Sequence, residues 1–182
     1  VSTQQIRDGV CQWFGGPYDQ EFRSYRIPQV HGLGVVRRGR PKRDDAADYY
    51  LGAPSAGAVA GAQMLVHVAR GVEQRAAMAG PFGGLKLVAH SVTLHVFMRS
   101  TSEWAEDAQD AFYDLKDALI ARIREDRCMG TGGFESGYGE GFSVGEGGEP
   151  WLIWEMDPAE TSDELTSGYL TVSFDAHQYE QG

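Results

Sequence analysis

LVAHSVTLHVFMRS (Leu87–Ser100) alternates strictly. Val88, His90, Val92, Leu94, Val96 and Met98 fall on one face, and Ala89, Ser91, Thr93, His95 and Arg99 on the other. This period of two, rich in β-branched residues, predicts a long half-buried strand. Beyond it the period changes. Trp104, Ala108, Ala111, Phe112, Leu115, Ala118, Leu119 and Ile123 recur at spacings of three and four, with acids and bases between them, which predicts an amphipathic helix. Ser100-Thr101-Ser102-Glu103 reads as a capping box that passes the strand almost directly into the helix. Glu103, Glu106 and Asp107 lie early and Arg122, Arg124 and Arg127 late, as the helix dipole favours. Cys128-Met129-Gly130 is the expected stop.

Working backwards, MLVHVARGVEQR (Met64–Arg75) places Met64, Val66 and Val68 on one face of a second strand. Gly80-Pro81-Phe82-Gly83-Gly84 turns it into the first, giving a long hairpin. APSAGAVAGA (Ala53–Ala62) reads as a small-residue linker. IPQVHGLGVVRRGR (Ile27–Arg40) predicts a strand around Leu33–Arg37, and Tyr49-Tyr50-Leu51 a short extra one. At the N-terminus, Ser2-Thr3-Gln4-Gln5 is a capping box ahead of Ile6, Val10, Trp13 and Phe14, and Gly15-Gly16-Pro17 ends that short helix. Trp13 and Phe14 read as packing residues. Downstream of the long helix, GTGGFESGYGEGFSVGEGGEP (Gly130–Pro150) predicts a long flexible loop. WLIWEM (Trp151–Met156) reads as a strand with Trp154 in the core, DPAETSDELTSG (Asp157–Gly168) as an acidic turn, and YLTVSFDA (Tyr169–Ala176) as a closing strand. Gln178–Gly182 reads as a frayed polar tail. The order is that of an α+β fold: a mostly antiparallel β-sheet with a short N-terminal helix and one long amphipathic helix packed on one face. The other face, with Ser91, Thr93, His95 and Thr171, is polar and is either wet or covered by another subunit.

The 182 residues fit a single domain spanning 1–182, with its flexible loop at about 130–150. A net charge of −10 argues against a protein that grips nucleic acid through its phosphates. The basic run RRGRPKR (Arg37–Arg43) is either a binding patch or a solvated loop neutralised by Asp44, Asp45 and Asp48, the second being favoured. Cys11 and Cys128 match no metal or redox spacing and read as buried free thiols. No stretch is long and apolar enough for a membrane span, and the N-terminus shows no signal pattern, so a soluble, cytosol-assembled chain is expected.

Few residue patterns in the chain carry chemistry. His67, His90 and His95 sit on neighbouring strands, but the odd separation of the last two puts them on opposite faces, and no zinc spacing is present. The glycine-rich loop lacks both the phosphate-loop ending and the dinucleotide pattern. No serine elbow or Cys/His pair is apparent. Paired carboxylates among Asp44, Asp45, Glu155, Asp157 and Glu160 leave a small hydrolase open, and Trp151, Trp154, Tyr138 and Phe142 leave open a carbohydrate- or receptor-binding module.

Local phrases carry more. QMLVHVARGVEQRAAMAGPFGGLKLVAHSVTLHVFMRS (Gln63–Ser100), EDAQDAFYDLKDALIARIREDRCMGT (Glu106–Thr131) and YLTVSFDAHQYE (Tyr169–Glu180), in this order behind an N-terminal helix, resemble the tail terminator (tail-completion) proteins of long-tailed bacteriophages, especially those of actinobacteria. The resemblance spans about two thirds of the chain by pattern, strongest over 1–15 and 60–182, and rests on layout and phrases without a catalytic motif. It implies a structural virion protein, no enzyme, without cofactor or metal. Such a protein forms a homo-oligomeric ring, commonly hexameric, that caps the tail tube protein, ends its polymerisation and meets the head-side connector protein. Viral DNA passes through the lumen unbound, no membrane is involved, and the location is the head–tail junction of the virion after assembly in the host cytoplasm. Another connector or tail tube ring protein is the nearest alternative. By analogy, Pro81, Phe82, Gly83 and Gly84 are expected contacts between neighbouring subunits, and Phe134, Tyr138 and Phe142 contacts with tube or connector.

Overall fold

The computed structural model describes residues 2–40, 60–78, 84–132, 141–145 and 151–181. Helix α1 (Thr3–Gly15) starts on the expected capping box: Gln5 N donates to Ser2 Oγ at 3.3 Å and Ser2 N to Gln5 Oε1 at 2.7 Å. Its buried stripe is Ile6, Val10, Cys11 and Phe14. Gly16, at φ 70°, closes it by donating to Gln12 O at 2.9 Å, a backbone shape that glycine adopts without strain. Gly15 lets the helix end sit directly on the sheet, since a Cβ there would meet Tyr25 Cβ at 2.5 Å.

The strands are β1 (Tyr18–Asp19), β2 (Ser24–Tyr25), β3 (Val35–Arg37), β4 (Gly61–Met78), β5 (Gly84–Ser100), β6 (Ser143–Val144), β7 (Leu152–Met156), β8 (Glu160–Thr161) and β9 (Thr166–Gln181), with α2 (Ala105–Glu125) between β5 and β6. Among the described residues they form one nine-stranded sheet in the order β1-β2-β3-β4-β5-β9-β6, with β7 and β8 also on β9. Every pairing is antiparallel except β3 with β4. The fold is the expected α+β arrangement. The 4–5 hairpin runs from Gly61↔Arg99 to Met78↔Gly84, with register shifts at Val68/Arg70 and Arg75/Ala77.

The core lies on one face of β4, β5 and β9. Met64 and Val66 of β4, Val92, Leu94, Val96 and Met98 of β5, and Leu170, Val172, Phe174 and Ala176 of β9 form one cluster with the apolar stripes of α1 and α2. α2 contributes Phe112, Leu115, Leu119 and Ile123, the residues that its three-four spacing selects. Gly168 lets β9 approach that helix, because a Cβ there would meet Phe112 Cδ2 at 2.8 Å. The helices are clasped to each other: Trp13 Nε1 donates to Arg122 O at 3.1 Å, and the Arg122 guanidinium lies 3.6 Å from the centre of the Trp13 ring.

Several expectations need correction. α2 begins after Trp104, which makes no side-chain cap, so Ser100 does not cap it. Ser100 Oγ and Ser102 Oγ instead accept from Ser102 N and Trp104 N, shaping the link out of β5. The helix stops at Glu125, before Cys128-Met129-Gly130, because the Asp126 carboxylate accepts from both Cys128 N and Gly130 N at 2.8 Å and draws the chain into a turn. The expected tail is strand: β9 continues to Gln181, paired with Leu85, and Gln178 is buried. Gly61 and Ala62 belong to β4, not to the linker. Both cysteines are free thiols, Cys11 buried as expected and Cys128 only half-buried. Burial pushes the Cys11 thiol well above its ordinary range. No helix among the described residues is long and apolar enough to cross a membrane.

Candidate functional site

The second face of β4, β5 and β9 carries the other half of the alternation: its middle, with His67, Ser91, Thr93, His95, Ser173 and Asp175, is half-exposed or exposed, while Gln63 and Leu65 toward one end and His177 toward the other are buried. Register brings its residues into cross-strand rows: His67 beside Thr93, Thr93 beside Ser173, and Ser173 beside Ile153 of β7. The neighbouring row is Leu65, His95, Thr171 and Glu155. Side chains then bond across the strands. Ser91 Oγ donates to Asp175 Oδ1 at 2.7 Å, Thr93 Oγ1 meets Ser173 Oγ at 3.2 Å, and His95 Nδ1 meets the Tyr169 hydroxyl at 2.5 Å. Cross-strand pairs of this kind hold register and keep a half-wet face satisfied.

His95 is the focus of the ladder. Its ring lies 6.1 Å from both the His67 and Tyr169 rings, and Tyr169 packs on Phe97 at 5.0 Å. Burial, and then the neighbouring His67, lower the His95 pKa, while burial and then Asp157 raise that of Tyr169. A shallow cavity of about 280 Å³ opens beside them, lined by Phe97, Arg99, Asp157, Glu160 and Tyr169 among others. A histidine and a tyrosine can exchange a proton, and here the two are engaged with each other. Among the described residues no group of three or more His, Cys, Asp or Glu could hold a metal ion. His90, as its parity requires, faces the core on the opposite side, where burial lowers its pKa.

The predicted contact residues are dispersed. Pro81, Phe82 and Gly83 lie outside the described residues, as do Phe134, Tyr138, Asp44 and Asp45. Gly84 opens β5 opposite Met78. Phe142 is corrected: it is 1% exposed and packs in the core, 3.2 Å from where a Gly9 Cβ would stand, so its ring is not on the surface of the chain. Trp154 is corrected the other way. It shares the helix-side face of β7 but lies beyond the cover of α2, 47% exposed, with Lys116 Nζ 4.4 Å from its ring centre. Ile153, on the opposite face, is 48% exposed. Trp151 instead packs on Gly145, so no aromatic platform joins it to Trp154. Glu155, Asp157 and Glu160 are exposed, and no described Asp or Glu is buried.

What sequence reading missed is the β7 edge itself, a strand with large apolar side chains in solvent on both faces. Alternation in WLIWEM marks the two faces but not where the covering helix stops. Comparison with known protein families and with curated proteins finds no match to this chain.

Proposed function

We propose that this chain is the subunit of a homo-oligomeric ring at the head-proximal end of a long phage tail, a tail terminator that caps the tube and meets the connector. The observation that carries the reading is the open, half-wet middle of the second sheet face. A subunit that finishes a core on one side, leaves a hydrogen-bonded polar patch open on the other, and has strand edges that no described strand pairs is suited to repeated assembly. The order of elements, with a helix, a long hairpin, a dominant helix and a closing hairpin, supports the same reading, as does the resemblance of the local phrases. The acidic balance suits a lumen through which DNA slides without being held.

Ser91, Thr93 and His95 are engaged by Asp175, Ser173 and Tyr169, which supports a structural role for the ladder over a catalytic one. The test is negative-stain imaging of the protein alone and with tail tubes. Rings of about six copies seated on tube ends are expected, cyclic closure being the usual outcome of head-to-tail contacts. A protein that stays off the tubes and leaves their length unregulated would overturn the proposal.

A further inference from the structure

We infer that copies of this chain join head to tail through the two ends of the sheet, the distal edge of β4 in one copy meeting the β7–β8 edge of the next. The inference deepens the ring reading and rests on it for closure, but the contact itself is argued from the edges. Both are open. Among the described residues β3 covers β4 only over Gln63–Leu65, and beyond that β4 pairs with β5 alone. Among the described residues β7 likewise pairs with β9 alone. Each therefore has outward backbone N–H and C=O groups with no described strand beside them, which is a template for adding a strand.

The two edges differ in charge. Along β7–β8 and the turn that follows, Glu155, Asp157, Glu160, Asp163 and Glu164 are all exposed. On distal β4 Arg70 and Arg75 are exposed, while the one acid between them, Glu73, is engaged by Lys86 at 2.7 Å. One end of the sheet is thus acidic and the other basic. A two-fold contact of β7 with β7 would set carboxylates against carboxylates. The unlike contact sets arginines against them, and it gives Ile153 and Trp154 a surface to cover them. Unlike edges make a heterologous interface, which repeats around a ring. The register shifts and charges of β4 fit this, since they discourage pairing with any strand that lacks the matching acids.

Charge reversal tests it. Two variants, R70E/R75E and E155R/E160R, change exposed side chains only, and a third carries all four substitutions. By sedimentation velocity across a concentration series, the wild type is expected to assemble. Each double variant alone needs roughly tenfold or more higher concentration, a 1:1 mixture of the two recovers wild-type assembly with both chains in equal number, and the fourfold variant assembles by itself. Recovery in the mixture and in the fourfold variant separates lost contact from lost folding. The inference is overturned by double variants that assemble like the wild type, by a mixture that does not recover, or by a wild type monomeric up to about 1 mM, where any specific contact would register. Closed rings indifferent to the reversals would leave the ring reading standing and remove these edges. Open filaments that obey them would keep the edges and remove the closed ring.

Discussion

The two faces of β4, β5 and β9 share one set of backbone hydrogen bonds yet hold opposite chemistries. On the helix side Val92, Leu94 and Val96 meet Leu170 and Val172 with almost no exposure. On the open side the intervening Ser91, Thr93 and His95 meet Asp175, Ser173 and Tyr169 through hydrogen bonds and remain half-exposed or exposed. Stability should therefore be concentrated on the first face and availability for contacts on the second. The difference comes wholly from side chains, because the ladder that carries them is common to both.

The sharpest way to break this contrast is to cut the covered face. Leu94→Ala removes a fully buried side chain and should cost about 2–5 kcal/mol, read as a lower urea midpoint. A loss below about 1 kcal/mol would mean that the core is not centred there. Gly15→Ala attacks the same face by overpacking. Its new Cβ has Tyr25 Cβ at 2.5 Å and Val36 Cβ at 2.9 Å to displace, so a loss of about 1–3 kcal/mol is expected in the same assay.

The two faces also differ in how pH acts on them. His90, 7% exposed on the covered face, has its pKa lowered by burial. The unfolded chain then takes up a proton before the folded one does. Its contribution is intact above the unfolded histidine pKa of about 6.5 and is lost as pH falls from there through the folded value. His90→Gln should flatten the acid side of a stability–pH curve measured between pH 7.5 and 5 (a range bracketing the ordinary histidine pKa of about 6.5), and an unchanged slope would assign the loss to other groups. His95 has the same sign, so His95→Gln should remove part of the remainder. The smallest effect belongs to the open face. Thr93→Val keeps the β-branched shape and removes one half of a 3.2 Å contact in reach of water, so a change within about 0.5 kcal/mol is expected in the monomer. A loss as large as that of Leu94→Ala would erase the distinction between the faces.

Much of this contrast was legible in the residues. The alternation of Leu87–Ser100 names both faces correctly, and the three-four spacing from Ala108 to Ile123 names the covering stripe. The short strands β1, β2, β6 and β8 were not legible, since two residues carry no period. Nor was the parallel pairing of β3 with β4, which depends on a partner 28 positions away at Val35↔Gln63. Ser100 looked like a cap because its spacing to Glu103 is right, yet its hydroxyl is taken by Ser102 N. Gln178 looked like tail because it is polar, and it is buried because β5 extends far enough to pair with it. Among the expected contact residues, Phe142 was named by analogy with the resembled family, and its burial depends on packing that no local phrase encodes. The open edges of β4 and β7 are properties of strand order, which no local phrase encodes.

β9 has one more consequence, for how the chain acquires its shape. This single strand pairs with β5, β6, β7 and β8, and its partners on β5 lie more than sixty positions earlier in the chain. Until residues 166–181 leave the ribosome, β5 has one edge without its mate and the helix-side core lacks Leu170, Val172 and Phe174. Pairings between such distant segments close slowly, in the millisecond-to-second range typical of sheet-rich topologies. The unit is thus expected to fold in one step once residues 166–181 are available, with the second edge of β5 protected from premature pairing only when β9 has docked.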